Sequence, residues 1–267
     1  MDAADRVREH YRRPDLEGVV LAALRRAGLD VAALRVEDLY GLDQLHAGSV
    51  AATSYLLDHL GLHADGTLLD VGCGIGGPAR LAAARYGCRV TGIDLSPDFV
   101  DLARSLTERV GLGALVRFDL GSATDLPYED GSFERAMLNH AGMNIADKAR
   151  LFTEVRRVLA PGGRFAVYEQ MRTGDGDLPY PLPWADDERS SFVEQRERYA
   201  ELLAAAGFTL ELDEDRTAAV AAAGSPPPGA LTPGDLFGPA FATRIANNVV
   251  AATDGTLGAV LMVATAA

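Results

Sequence analysis

Lysine is nearly missing from this chain: Lys148 is the single one among 25 basic residues, against 38 Asp and Glu, for a formal charge of −13. That balance argues against nonspecific binding to nucleic acid or to an anionic membrane and makes a small molecule the expected partner. Cysteine is almost as scarce. Cys73 and Cys88 are the only two, and neither their number nor their spacing suits a disulfide framework or a metal site, so no metal is expected. No charged-then-apolar leader opens the chain, and no apolar run approaches the ~18 residues of a spanning helix. The expectation is a cytoplasmic protein that does not enter a membrane. Arginine in place of lysine, with abundant alanine, reads as a GC-rich coding sequence and points to a bacterial source. Oligomeric state is not readable.

What the chain does have is LLDVGCGIGGPAR, Leu68 to Arg80. Leu68, Leu69 and Val71 suit a central parallel strand covered on both faces. Asp70 interrupts them near the strand's C-terminal end, where open α/β sheets bind ligands. Gly72, Gly74, Gly76 and Gly77 allow a sharp turn with close ligand approach, and Pro78 suits the first turn of a helix. Asp94 closes a second apolar run, CRVTGID, at about the ~20-residue offset of a ribose-binding acid. The glycines fit both G-x-G-x-x-G and G-x-G-x-G, so a nicotinamide dinucleotide remains a second reading. A pyrophosphate wants helix-terminus amides and no adjacent carboxylate. Asp70 therefore favours a cationic ligand without phosphate.

With these residues the chain resembles the class I S-adenosylmethionine-dependent methyltransferases, whose first motif is matched by Leu69-Asp70-Val71-Gly72-Cys73-Gly74-Ile75-Gly76. The resemblance implies S-adenosylmethionine as cofactor and S-adenosylhomocysteine as product. It implies that Asp94 holds the ribose hydroxyls and that Leu95 packs on adenine. ATDLPYEDGSFERAMLNHAGMNI, Ala123 to Ile145, matches the adenine-side loop and fourth strand, and RVLAPGGRFAVYEQM, Arg157 to Met171, the junction into the fifth. DLYGLDQLHAGS, Asp38 to Ser49, and YPLPWA, Tyr180 to Ala185, are similar to a bacterial small-molecule branch of sarcosine/dimethylglycine, tocopherol-type and natural-product methyltransferases. One position departs from the pattern. Ser122 stands where an acid often precedes Ala123, leaving the adenine amino group to Asp125 or a backbone carbonyl.

The organisation expected is α/β: a Rossmann-like, doubly wound seven-stranded sheet with mostly parallel strands and an N-terminal helical cap. The cap covers residues 1–62, with apolar faces at Val19, Val20, Ala23 and Leu24 and at Ala52, Tyr55, Leu56 and Leu60. The core covers 63–267, with strands near Thr67–Val71, Arg89–Ile93, Leu115–Asp119, Glu134–Asn139, Arg164–Glu169, Phe208–Asp213 and Leu257–Val263. It carries an insert at about 171–190 and a helix near Ser191–Ala206. The turn-rich stretch 218–234, with Pro226-Pro227-Pro228, reads as a surface loop. The pairing of the last two strands does not follow from periodicity. The resembled fold places the last one antiparallel beside the fifth.

Catalysis in such an enzyme is direct displacement onto O, N or C of a small molecule, in which positioning supplies much of the rate. His140, after the fourth strand, is the leading general base, or else it orders the cofactor loop. Glu169, ending the fifth strand, either faces an acceptor or bonds backbone amides. The resemblance places the segment of Gln44 and His46 over the cofactor, with Tyr11 in a similar position; a capping or solvent role for His46 and core packing for Tyr11 are the other readings, and Asn139 bonds either the cofactor or the loop. His140, Met143 and Trp184 are the expected acceptor contacts, packing of the insert being the other reading of Trp184. Acids and aromatics near the mouth give a slight preference for an amine acceptor. The same cofactor residues would serve a protein that keeps the cofactor without using its methyl group, as a cyclase or a binding protein.

Overall fold

A computed structural model describes residues 3–267 apart from Ser225 and Pro228, so the last proline of the triplet lies outside the described residues. The N-terminal region folds as α1 (Ala3–Tyr11), α2 (Leu16–Arg26), α3 (Tyr40–Asp43) and α4 (Ser49–Asp58). Strand and helix then alternate: β1 (Thr67–Val71), α5 (Gly77–Tyr86), β2 (Arg89–Asp94), α6 (Pro97–Arg109), β3 (Val116–Leu120), β4 (Phe133–Asn139), α7 (Lys148–Val158) and β5 (Leu159–Arg172). The chain ends with α8 (Arg196–Ala205), β6 (Phe208–Asp215), α9 (Thr217–Ala222), α10 (Gly234–Phe237), α11 (Phe241–Thr253) and β7 (Leu257–Ala266).

The strands form one sheet of order β3-β2-β1-β4-β5-β7-β6. The first five are parallel, and β7 runs antiparallel between β5 and β6. Strand alternation divides the core between two faces. Leu69 and Val71 of β1 join Phe152 and Val155 of α7 and Tyr199 of α8, whereas Leu68 faces Leu56 and Leu57 of α4 and Ala82 of α5. A third apolar group, Val20, Leu24, Phe99, Leu102 and Leu236, fastens α2 to α6 and α10.

The chain runs outward from β1 to β2 and β3 and then crosses back to β4 on the other side of β1, so the C-terminal ends of β1 and β4 flank a crevice of the kind that binds ligands in open α/β sheets. Two helices that border it are capped by side chains. Ser96 accepts from the Phe99 amide at the head of α6, and Asp147 from the Arg150 amide at the head of α7.

Several details differ from the sequence reading. Val19 points outward at 39 % exposure, and Leu16, Val20, Ala23 and Leu24 form the buried face of α2. The helix expected from Ser191 begins at Arg196, because Glu194 accepts the Arg172 amide and Gln195 lies alongside that strand end. The 218–234 stretch is not all loop: its first part is α9, whose Val220 packs against the sheet. Helix α11 was not expected at all.

Candidate active site

The crevice holds a cavity of about 330 Å³, within the range of small-molecule sites. Its floor is the turn after β1. Gly72 has φ +70°, and a Cβ there would stand 2.3 Å from the Ala141 Cβ, so no other residue fits without moving the turn that follows β4. The Gly74 amide donates to Asp94 Oδ2 at 2.9 Å, and the Ser96 amide donates to Oδ1 at 2.9 Å. Each Asp94 oxygen keeps a lone pair for a further donor. Burial raises the Asp94 carboxyl above its usual range while those amides pull it back.

Asp70 lies deeper. Burial, reinforced by the charge of Asp94, pushes its carboxyl up to about 8, and its Oδ2 has no hydrogen-bond partner. Asn139 at the end of β4 leaves both its amide nitrogen and its oxygen unpartnered at the same wall. Orphaned buried polar groups are costly and uncommon. A ligand with an ammonium, a sulfonium and ribose hydroxyls answers all three residues, so the donor and acceptor set fits S-adenosylmethionine.

Of the other sequence candidates, Tyr11, His46, Leu95, Ser122, Ala123, His140, Met143 and Trp184 line the cavity, whereas Gln44, Gly76 and Glu169 do not. Gly76 ends the turn in the left-handed region at φ +83°, where a side chain would strike Phe118 and Arg80. Gln44 is buried behind the wall. Its amide donates to Asp43 Oδ1 at 2.9 Å, and Thr53 Oγ1 lies 2.7 Å from both Gln44 Oε1 and His46 Nε2. Ser122 Oγ accepts from the Thr124 amide, and Asp125 is exposed and off the cavity.

Glu169 is turned away from any acceptor. Its Oε1 accepts from the amides of Ala141 and Gly142 at 2.8 and 2.7 Å, so it braces the turn carrying His140. Burial lifts its carboxyl to about 7. That turn is strained, with His140 at φ +52°. His140 has Nδ1 3.1 Å from the Tyr168 carbonyl, which fixes the proton on Nδ1 and leaves Nε2 as the acceptor facing the Ala47 amide at 3.5 Å. Burial and the neighbouring His46 ring hold His140 well below the usual histidine range, and burial takes His46 down to about 4. Both imidazoles are neutral at neutral pH.

Sequence reasoning missed Phe99, Asn144, Phe237 and Phe241, all in the cavity wall. Phe241 opens a helix in which Phe241, Ile245 and Val249 stand at helical spacing, a signal that could have located it, whereas Phe237 sits in a four-residue helix that no periodicity marks. It also missed the buried ion pair of Asp43 and Arg80, 3.0 Å apart, which ties the segment before His46 to the helix after the glycine turn. The same contact shows why Gly77 is glycine: a Cβ would sit 2.2 Å from the Asp43 carbonyl oxygen.

Residues 69–167 match the methyltransferase-domain family described as Methyltransf_11. Methyltransferase GfsG of Streptomyces halstedii is 35 % identical over 140 residues, covering 52 % of this chain and 50 % of that protein. Sterol 24-C-methyltransferase of Eremothecium gossypii is 32 % identical over 170 residues, covering 61 % of this chain and 45 % of that protein. The chain thus spans about half the length of the curated relatives it matches. Among solved structures, the [4+2]-cyclase SpnF superposes with a TM-score of 0.67 at 25 % identity, covering 98 % of this chain and 96 % of that one. The domain match falls on the turn that also fitted a dinucleotide pattern, and it removes the nicotinamide reading. Residues 69–167 thus match a methyltransferase domain, and in its sheet and its cofactor cradle the chain is similar to the class I S-adenosylmethionine-dependent methyltransferases.

Proposed function

We propose that the protein transfers a methyl group from S-adenosylmethionine to O, N or C of a small molecule, in bacterial natural-product metabolism in the cytoplasm. The observation that carries this reading is the cradle itself, in which unpartnered Asp70 and Asn139 stand beside the Gly72–Gly74 turn and the ribose-side Asp94. The natural-product setting is supported by the likeness to GfsG of Streptomyces halstedii. Helices α1–α4, within residues 1–62, serve as a cap on the core of 63–267, since Val7, Tyr11 and His46 all reach the cavity.

When bound, the cofactor supplies an electrophilic methyl group on a sulfonium that departs as a neutral thioether. Asp94 accepts from the ribose hydroxyls, Leu95 packs against adenine beside Ser122 and Ala123, and Asp70 faces the cationic end. Asn139, His46 and Tyr11 complete the wall. His140 takes the acceptor's proton at Nε2, the imidazole nitrogen left without a proton by the Nδ1 bond to the Tyr168 carbonyl, in exchange for its long contacts to the Ala47 amide at 3.5 Å and Gln170 Nε2 at 3.4 Å. The acceptor meets Met143 and Trp184.

Calorimetric titration with S-adenosylmethionine, S-adenosylhomocysteine and NADH tests the reading, with micromolar binding of the first two and none of NADH expected. Asp94→Ala should weaken binding by about 1–3 kcal/mol through loss of a buried acceptor. Use of the cofactor without methyl transfer is a second reading, supported by the nearly full-length likeness to the [4+2]-cyclase SpnF. Tight binding without S-adenosylhomocysteine formation across a broad acceptor set would favour it.

A further inference from the structure

Beyond the cofactor cradle, the cavity wall is assembled from four separate stretches: α1, the turn after β4, the insert before α8, and α10–α11. Its polar side chains are already committed to one another. The Tyr11 hydroxyl donates to Asn144 Oδ1 at 3.0 Å, Asn144 Nδ2 donates to the Trp184 carbonyl at 2.9 Å, and Trp184 Nε1 donates to Ser191 Oγ at 3.0 Å. Asp147, the carboxylate of this part, is exposed to solvent and has its Oδ1 held by the Arg150 amide. What remains for a ligand is Val7, Met143, Trp184, Phe237 and Phe241.

Charge points the same way. Among the described residues no lysine or arginine lines the cavity, so a phosphorylated acceptor would find no counter-ion. Arg244 of α11 is turned outward to the Leu182 carbonyl and Asp186. The aromatic rings do not form an open cage for a cation either. Phe237 and Phe241 are stacked on each other with centroids 4.7 Å apart, and the Arg13 guanidinium already lies 5.5 Å from the Phe237 centroid. A second cation stacked on these rings would meet that guanidinium as a like charge and would give up hydration to do so. The stacked rings and the Arg13 guanidinium run against the slight preference for an amine drawn from the sequence.

We propose that the methyl acceptor is an uncharged, mainly apolar small molecule, selected by Val7, Met143, Trp184, Phe237 and Phe241. This rests on reading the cavity as the cofactor site. Trp184 is the only tryptophan of the chain, so its emission reports occupancy of the acceptor region directly. The test is to saturate the protein with S-adenosylhomocysteine and titrate it with geraniol, 1-decanol, choline and phosphoethanolamine, following Trp184 fluorescence. The proposal expects saturable binding of geraniol or 1-decanol and none of the two charged compounds. Phe241→Asp should weaken the alcohol by about tenfold or more while S-adenosylhomocysteine affinity is kept, and Phe241→Leu should restore it. Saturable binding of choline or phosphoethanolamine, or failure of both alcohols in protein that binds S-adenosylhomocysteine, overturns it. Failure of S-adenosylhomocysteine itself overturns the cofactor reading instead.

Discussion

A carboxyl group shut away from water with another carboxyl nearby holds its proton. Asp70 is in that position, at about 8, chiefly by burial and then by the charge of Asp94. At neutral pH it is mostly neutral, and a cation arriving beside it makes the ionised form the better partner. Binding of S-adenosylmethionine at pH 7 should therefore release close to one proton, and at pH 9 almost none. Calorimetry in buffers of different ionisation enthalpy measures this, and Asp70→Asn should abolish the release; unchanged release in the variant would place the titrating group elsewhere. His140 poses the opposite case. Held well below the usual histidine range, it stays neutral through mildly acidic pH. Turnover should consequently stay flat as pH falls from 8 to 6, where an ordinary imidazole base would lose about half its activity near its pKa of ~6.5. A fall centred on that value would remove His140 from the role. His140→Ala should lower turnover and leave cofactor affinity nearly intact.

At the scale of elements, the segment between α3 and α4 is clamped onto α5. Arg80 is fully buried and spends its guanidinium on Asp43, on the Ile75 carbonyl of the glycine turn and on Thr107. Removing one partner strands a buried charge, so Arg80→Met should cost on the order of 3–5 kcal/mol, while the double change with Asp43→Leu should recover much of it. Urea unfolding of the singles and the double gives the coupling; purely additive losses would refute the clamp. This pair also marks where sequence reading stopped. β1 and β2 were legible to within a residue, because Leu68, Leu69 and Val71 in one and Val90 and Ile93 in the other are short, mainly apolar runs followed by a glycine turn or an acid. Asp70, Gly72, Gly74 and Asp94 came with them. Asp43 and Arg80 meet across 37 positions, and no local pattern announces such a contact. Helix α11 stayed hidden for another reason. Its outer face carries Ile245, Val249 and Val250 at 43, 56 and 49 % exposure, while Arg244 and Asn247 turn onto backbone carbonyls of the insert, the reverse of an ordinary surface helix.

For the whole molecule, the buried groups of the site set a pH dependence whose sign follows from proton counts. Asp70 at about 8 and Glu169 at about 7 bind protons in the folded state that the unfolded chain, near the ordinary carboxylate range, has already released. Their contribution is present at acid pH and is lost as pH rises toward those values. His46 at about 4 and His140, also lowered, act in reverse: the unfolded chain takes up protons below ~6.5 that the folded chain refuses, so stability is lost as pH falls. Between about 4.5 and 6.5 the two pairs oppose each other. Above 6.5 the histidines are neutral in both states and only the carboxylates act, until Lys148, lowered to about 8, begins to favour folding at higher pH. The ligand-free protein should thus lose on the order of 2 kcal/mol between pH 6.5 and 8, seen as a falling Tm by scanning calorimetry. Saturation with S-adenosylmethionine should flatten that fall, since a cation beside Asp70 lowers its folded-state pKa, and Asp70→Asn should leave only the smaller part due to Glu169. A Tm that rises across the same interval in the ligand-free protein would mean that neither carboxyl keeps its proton in the folded state, and with it would go the account of Asp70 as the group that meets the cation.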